Sequence, residues 1–176
     1  MEIKPWKKLK EEKYNAGYRK IIKKTFELPT GKTADFDIVD GGDVVCVLAL
    51  TKEKKIILAK QFRQGQEKVL LELPGGGLLE KENPEEAMTR ELLEETGYKG
   101  NLNFIGTSFS DAYMKRVRSH FVATDCVKIQ EPKYEETEFT EGVELTLEDF
   151  MKHLHKGELT DGETAYRGLE YLGLLR

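Results

Sequence analysis

Residues 76–98 read GGLLEKENPEEAMTRELLEETGY, and this stretch predicts a short glycine-led loop followed by one well-marked helix. Asn83 is a favourable N-cap, Pro84 suits the first helical position, and Glu86 stands where it can complete a capping box. Gly97 is the residue type that ends a helix in the left-handed conformation. We therefore expect the helix to run from Pro84 to about Thr96.

Three glutamates share one face of this predicted helix. At 100° per residue, positions i, i+3 and i+4 fall within an arc of about 100°, and these positions are Glu91, Glu94 and Glu95. Met88 and Leu92 fall on another side, which can face a core. Three close carboxylates repel one another unless a cation lies among them, and oxygen ligands suit Mg²⁺ or Mn²⁺. The alternative is a solvated acidic face, which charge runs usually form.

The wider spacing resembles the signature of the Nudix hydrolases, G-x5-E-x7-R-E-U-x-E-E-x-G-U, in which U is aliphatic. Gly76 is followed after five residues by Glu82, and after seven more by the run 90–98. All seven fixed residues of the signature are present. Leu92 fills the first U, whereas Tyr98 departs from the aliphatic type at the last one.

The resemblance implies an α/β/α Nudix sandwich and an enzyme that hydrolyses a nucleoside diphosphate linked to another moiety. It implies Mg²⁺ as the cofactor, with Mn²⁺ as an alternative. The metal-binding positions of the signature fall on three residues: Glu91, Glu94 and Glu95. Glu94 is also a candidate catalytic residue. Glu82 matches the carboxylate that pairs with Arg90 and braces the loop against the helix. Gly76 matches the glycine that starts the loop, and it is a candidate substrate contact.

A second acidic cluster, residues 131–149, holds eight acidic residues against Lys133. Some Nudix families take a general base from a glutamate on a loop that follows the signature. Glu138 matches that position best and Glu136 next, so both are candidate catalytic residues. An exposed loop is the alternative for either glutamate.

Two further segments resemble ADP-ribose and nucleotide-sugar pyrophosphatases, which have an arginine and a glutamate near the substrate. Arg63 lies in the run QFRQ, and Glu72 begins the run ELPG. We expect both to be substrate-binding residues, with Arg63 contacting a phosphate. A surface arginine is an equal alternative for Arg63. Weaker candidates are Arg116, Arg118 and His120.

The hairpin expected before the core also resembles this branch, whose members commonly dimerise through N-terminal strands. We therefore predict an N-terminal arm and hairpin over residues 1–40, a Nudix hydrolase domain over 41–176, and a homodimer. Trp6 and Tyr18 are candidates to cover the interface, although core burial is an equal alternative. One mark of ADP-ribose pyrophosphatases, a proline about 16 residues after the signature, is missing, because Tyr113 and Met114 stand there.

The leading hypothesis is Mg²⁺-dependent hydrolysis of a nucleoside diphosphate sugar such as ADP-ribose, which gives a nucleoside monophosphate and a sugar phosphate. A house-cleaning hydrolase of oxidised nucleoside triphosphates is the alternative enzyme, and it would release pyrophosphate. A module that senses a nucleotide sugar without catalysis is disfavoured, because such modules usually lose carboxylates of the signature.

The rest of the chain predicts short strands with two closing helices. The expected strands cover 18–27, 32–39, 44–50, 55–62, 69–73, 102–107, 118–123 and 139–145. One closing helix starts at Thr146, and Thr160 with Glu163 forms a capping signature for the other. Gly75, Gly76 and Gly77 permit positive φ angles and leave backbone amides open to a ligand. This order favours an α+β or α/β/α sandwich with a mixed sheet.

Composition and charge exclude several classes of protein. The chain has 176 residues, 28 Lys and Arg against 32 Asp and Glu, and a net charge of −4. The longest apolar run, 44–50, is far shorter than the roughly 20 residues of a membrane span. The first 24 residues hold nine basic and three acidic residues, but the rest is strongly acidic, which argues against nucleic acid. We expect a cytoplasmic protein that binds neither membrane nor nucleic acid.

Overall fold

The computed structural model describes residues 3–133 and 139–175. The chain divides into two units by its internal contacts. The first unit is Met1–Asp43 with Phe109–Val117, and the second is Val44–Ser108 with Arg118–Arg176. The domain boundary between residues 40 and 41 stays a prediction. The grouping of residues 109–117 with the N-terminal unit is an observation that the sequence did not suggest.

The first unit contains a four-stranded sheet in the order β1-β2-β3-β9. Its strands are β1 (Lys7–Ala16), β2 (Arg19–Glu27), β3 (Thr33–Asp40) and β9 (Met114–Lys115). Strands β2 and β3 pair antiparallel over seven residue pairs, which confirms the predicted hairpin. Strand β1 was not predicted. All ten of its residues are exposed, and they do not show the apolar–polar alternation that indicates a strand.

Three aromatic rings cluster on the first unit. Trp6 packs against Phe26 and Phe36 with ring centroids 6.3 and 5.9 Å away, and the two phenylalanines are 5.9 Å apart. With Phe109 and Tyr113 they line an open, largely apolar groove of about 690 Å³. Tyr18 lies outside this groove and is 87% exposed.

The second unit contains a seven-stranded sheet in the order β11-β5-β4-β10-β8, with β6 on β5 and β7 on β4. The seven strands are β4 (Val44–Thr51), β5 (Ile56–Arg63), β6 (Lys68–Glu72), β7 (Gly75–Gly77), β8 (Tyr98–Phe109), β10 (Val117–Lys128) and β11 (Thr140–Leu145). Strands β4 and β10 run parallel, whereas β5 pairs antiparallel with both β4 and β11. The sheet is therefore mixed, as predicted.

Helices cover both faces of this sheet. They are α1 (Pro84–Thr96), α2 (Leu147–His155) and α3 (Gly162–Tyr171). Alternate residues of β4 divide between the faces, as side chains of a strand must. Val45 and Val47 pack in the cluster that holds Met88 and Leu92 of α1. The other alternate set packs in a second cluster with α2 and α3, namely Cys46, Leu48 and Leu50 with Phe150 and Leu169. The predicted α/β/α sandwich is confirmed.

Helix α1 begins and ends as predicted. The Asn83 side chain accepts hydrogen bonds from the amides of Glu85 and Glu86, and the Glu86 carboxylate accepts one from the Asn83 amide. Gly97 ends the helix with φ 78°. No described helix has the length and apolar character needed to cross a membrane.

The predicted start of α3 is wrong. Asp161 is the N-cap, and it makes no side-chain capping bond. The Thr160 hydroxyl instead donates to Glu72, which lies 88 residues earlier in the chain. Glu163 accepts from Ser108 and Arg167. The Thr160 and Glu163 side chains therefore bond to Glu72 and Ser108, in distant segments of the chain, and do not form a capping box.

Candidate functional site

The acidic face of α1 opens onto a cleft of about 180 Å³ in the second unit. Glu91, Glu94 and Glu95 all line this cleft. Lys133 and Thr140 line it from the segments that follow β10 and begin β11. The helical spacing of the three glutamates therefore brings their carboxylates to one cavity, as the sequence predicted.

Arg90 connects this acidic face to the preceding loop. Its Nε and Nη2 atoms each donate to one Glu82 carboxylate oxygen at 2.9 Å, and Nη2 also donates to the Gly77 carbonyl at 3.0 Å. Its Nη1 atom donates to Glu91 at 2.8 Å and to Glu94 at 3.2 Å. The guanidinium thus fixes the loop and orients two of the three carboxylates.

The Glu82–Arg90 pair shifts the pKa of both partners. Hydrogen bonds from Arg90 and from the Leu79 amide lower the pKa of Glu82. The Glu82 carboxylate raises the pKa of Arg90 despite partial burial of the guanidinium. Both side chains therefore stay charged in the folded protein near neutral pH.

Glu95 and Glu94 have different surroundings. Glu95 is 5% exposed, and its Oε2 accepts a hydrogen bond from the Gly75 amide at 2.8 Å. The Glu94 side chain lies 3.5 Å from Lys133 Nζ, and the Lys133 amide donates to the Glu94 carbonyl at 2.8 Å. Each carboxylate thus has a donor that holds its orientation.

The glycines of β7 serve the site in a way that differs from the prediction. Gly75, Gly76 and Gly77 pair with β4, and none has a positive φ. A Cβ at Gly76 would overlap the Glu91 carboxylate, and one at Gly75 would overlap β4 backbone. The glycines therefore do not use the positive φ that they permit; Gly75 and Gly76 are needed for close approach, whereas a Cβ at Gly77 would meet no atom within 4 Å. The Gly75 amide is also not open, since it donates to Glu95.

The donor chemistry of the cleft fits a hard divalent cation. Carboxylate oxygens are the ligands that Mg²⁺ and Mn²⁺ take in proteins, and three line this one cavity. Glu91 and Glu94 already direct oxygens at one cationic group, the Arg90 guanidinium. Within the part of the chain that the structure describes, no three Asp, Glu, His or Cys side chains converge closely enough to hold a metal. The metal assignment of Glu91, Glu94 and Glu95 therefore stays a prediction.

Arg63 and Glu72 lie together at the β5–β6 pair. Arg63 Nε donates to one oxygen of Glu72, and the Thr160 hydroxyl donates to the other. Glu72 is completely buried, whereas the Arg63 side chain is 35% exposed. The predicted substrate contacts of both residues stay untested, but these bonds favour Arg63 over Glu72 as the group that reaches a ligand.

The two candidate general bases, Glu136 and Glu138, lie outside the described residues. Their assignment stays a prediction. The described residues that flank them, Lys133 and Thr140, both line the acidic cleft.

Several polar contacts near the site were not predicted. Arg118 Nη2 lies 3.3 Å from Asp161 Oδ1, and burial raises the pKa of Asp161 although Arg118 opposes the shift. His120 is completely buried between the Ser108 and Thr164 hydroxyls, at 2.9 and 2.8 Å. Burial lowers the pKa of His120. Sequence periodicity gives no signal for contacts between such distant segments.

Comparison with known proteins agrees with the signature. The NUDIX domain family model matches residues 41–167. An ADP-ribose pyrophosphatase of Bacillus subtilis (strain 168) is 37% identical over 168 residues, or 94% of this chain and 90% of that protein. A methanol dehydrogenase activator of Bacillus methanolicus is 32% identical over 84% of this chain and 81% of that protein.

A solved structure described as an ADP compounds hydrolase shares the fold. It matches with a TM-score of 0.80 over 99% of this chain and 100% of that chain, at 19% sequence identity. The chain belongs to the Nudix family, and the resemblance drawn from residues 76–98 is confirmed.

Proposed function

We propose that this chain is a pyrophosphatase that hydrolyses the diphosphate linkage of ADP-ribose or a closely related nucleoside diphosphate sugar. The products are a nucleoside monophosphate and a sugar phosphate. The observation that carries the proposal is that Glu91, Glu94 and Glu95 of a complete signature all line one cleft. The similarity to the Bacillus subtilis ADP-ribose pyrophosphatase supports this choice of substrate class.

The chemistry of the linkage explains why this cleft suits it. A diphosphate is strongly anionic, so water attacks its phosphorus slowly unless the negative charge is neutralised. Mg²⁺, or Mn²⁺ in its place, would neutralise that charge and lower the pKa of a bound water when held by these carboxylates.

The residues of the chain supply positioning. Arg90 keeps Glu91 and Glu94 facing the cleft, and the Gly75 amide fixes Glu95. A guanidinium such as that of Arg63 can bind a phosphate through its terminal nitrogens. We assign the general base to Glu138, with Glu136 as the second candidate, because the described residues on both sides of them line the cleft.

We also propose that the protein is a homodimer that buries the aromatic groove of the first unit. Trp6, Phe109 and Tyr113 line that groove and are 45%, 84% and 58% exposed. Exposed apolar surface of this kind is costly in water and is typical of an interaction face. A second copy of the chain is the partner that this proposal assigns to it.

Product identification tests the proposed activity. The protein is incubated with Mg²⁺ and a panel of ADP-ribose, other nucleoside diphosphate sugars and oxidised nucleoside triphosphates, and products are separated by chromatography. We expect AMP and ribose 5-phosphate from ADP-ribose. Release of pyrophosphate from triphosphates alone would favour the house-cleaning alternative, and absence of hydrolysis of every diphosphate would contradict the proposal.

A further inference from the structure

A chain of polar contacts links three strands of the sheet to the start of α3. It consists of Arg63 in β5, Glu72 in β6, Thr160 and Asp161 before α3, and Arg118 in β10. We call these five residues the Arg63–Arg118 network. The Thr160 hydroxyl also lies 3.3 Å from Asp161 Oδ2, so the network is continuous through Thr160.

Glu72 is the centre of this network, and its burial makes both of its partners necessary. The side chain is 0% exposed, so solvent cannot satisfy its carboxylate. One oxygen accepts from Arg63 Nε and the other accepts from Thr160. Leaving a buried carboxylate oxygen without a donor destabilises the protein by more than the net contribution of the lost hydrogen bond. The Glu72 carboxylate would therefore move to reach another donor.

Arg63 is held through only one edge of its guanidinium. Within the described residues, its Nη1 and Nη2 atoms make no hydrogen bond, whereas its Nε is fixed by Glu72. The side chain is partly exposed, so these two nitrogens are available to an anion. Their direction depends on where the Glu72 carboxylate lies.

We propose that Thr160 is a positioning residue for substrate binding, which acts by fixing Glu72 and through it the guanidinium of Arg63. The inference rests on the proposed function, because the anion assigned to Arg63 is a phosphate of the diphosphate substrate. Thr160 does not touch substrate in this proposal. The Asp161–Arg118 pair holds the loop that presents Thr160.

Substitution of Thr160 by Val removes the hydroxyl and preserves the shape of the side chain. Thr160 is an exposed residue, so this variant is expected to fold. Glu72 would lose one donor, and Arg63 would lose its fixed orientation. Because a phosphate contact made equally in the ground and transition states affects binding, we expect KM to rise about tenfold with kcat within about twofold of wild type.

Steady-state kinetics of ADP-ribose hydrolysis by the full chain test this inference. Thr160→Ser restores the hydroxyl and should restore KM to within about twofold of wild type. Thr164→Val is the matched control, because it removes a buried hydroxyl of α3 that contacts His120 and not Glu72. It should lower thermal stability without raising KM.

A double-mutant cycle separates positioning from a general structural effect. Arg63→Ala should raise KM by itself, and Thr160→Val added to Arg63→Ala should raise it no further. A wild-type KM in Thr160→Val, or an equal further rise in the Arg63→Ala background, would overturn the inference while leaving the proposed function intact. If wild type neither binds nor hydrolyses ADP-ribose or any other diphosphate in the panel, the proposed function fails and this inference fails with it.

Discussion

Gly76 has no side chain because the Glu91 carboxylate occupies the space that a side chain would need. Its backbone is ordinary strand in β7, so the requirement is one of volume and not of φ. Gly77 is its neighbour in the same strand, and a Cβ there would meet no atom within 4 Å. A substitution by alanine is therefore expected to disturb Glu91 at Gly76 but to meet no neighbouring atom at Gly77.

We predict that Gly76→Ala displaces Glu91 and raises the Mg²⁺ concentration needed for half-maximal activity by about ten- to a hundredfold. Gly77→Ala should leave that concentration unchanged. A Mg²⁺ titration of ADP-ribose hydrolysis by both variants measures the difference. Equal metal requirements in Gly76→Ala and wild type would show that Glu91 tolerates the added methyl group or does not hold the metal.

The loop before α1 is braced by a bidentate ion pair. Arg90 donates two hydrogen bonds to Glu82, and the Leu79 amide donates a third. These bonds lower the pKa of Glu82 in the folded protein. A carboxyl group whose pKa is lower when folded stabilises the fold above its unfolded-state pKa of about 4.3, and this contribution is lost as the pH falls through the lowered value.

We therefore predict that Glu82→Gln is less stable than wild type at neutral pH and that the difference shrinks as the pH falls below about 4. Urea unfolding at a series of pH values measures it. Glu80→Gln is the control, because Glu80 is exposed in the same loop. A stability difference that stays constant down to the lowest pH would contradict the assigned role of the charged Glu82.

The elements that the sequence predicted well are those with strong local signals. Asn83, Pro84, Glu86 and Gly97 fix both ends of α1, and the unbroken apolar run 44–50 predicts β4. Strand β1 gave no such signal, because Lys and Glu residues occur on both of its faces. The start of α3 was predicted wrongly because Glu72, far away in the chain, competes for the Thr160 hydroxyl.

Over the whole chain, the small net charge of −4 is the sum of a basic N-terminal segment and an acidic remainder. The basic N-terminal residues belong to the unit with the aromatic groove, whereas the glutamates of α1 belong to the other unit. The groove is the surface to which we assign dimerisation. Tyr113 lines it, and Tyr171 on α3 has nearly the same exposure outside it, at 56% against 58%.

We predict that Tyr113→Glu converts a dimer into a monomer, because it places an unpaired charge in an apolar interface. Tyr171→Glu should remain dimeric. Size-exclusion chromatography with light scattering on wild type and both variants measures the mass. A monomeric wild type at micromolar concentration, or a dimeric Tyr113→Glu, would contradict the assignment of the groove.

The residues of the site divide into two groups by how they could be found. Gly76, Glu82 and Arg90 stand at fixed spacings within one segment, so the sequence alone predicts that they lie together. Lys133 and Thr160 reach their carboxylate partners from 39 and 88 residues away. Such contacts depend on how strands pair, which a single sequence does not specify.

The role of the α1 carboxylates is tested most directly by the rate of AMP formation from ADP-ribose in Glu95→Gln. The amide of this variant keeps an acceptor for the Gly75 amide, so the fold should be preserved while the ligand charge is lost. Glu85→Gln, on an exposed position of the same helix, is the control. We predict that wild type and Glu85→Gln form AMP only with Mg²⁺ or Mn²⁺, and that Glu95→Gln is slower by at least about a hundredfold. Full activity of Glu95→Gln, or metal-independent AMP formation by wild type, would contradict the assignment.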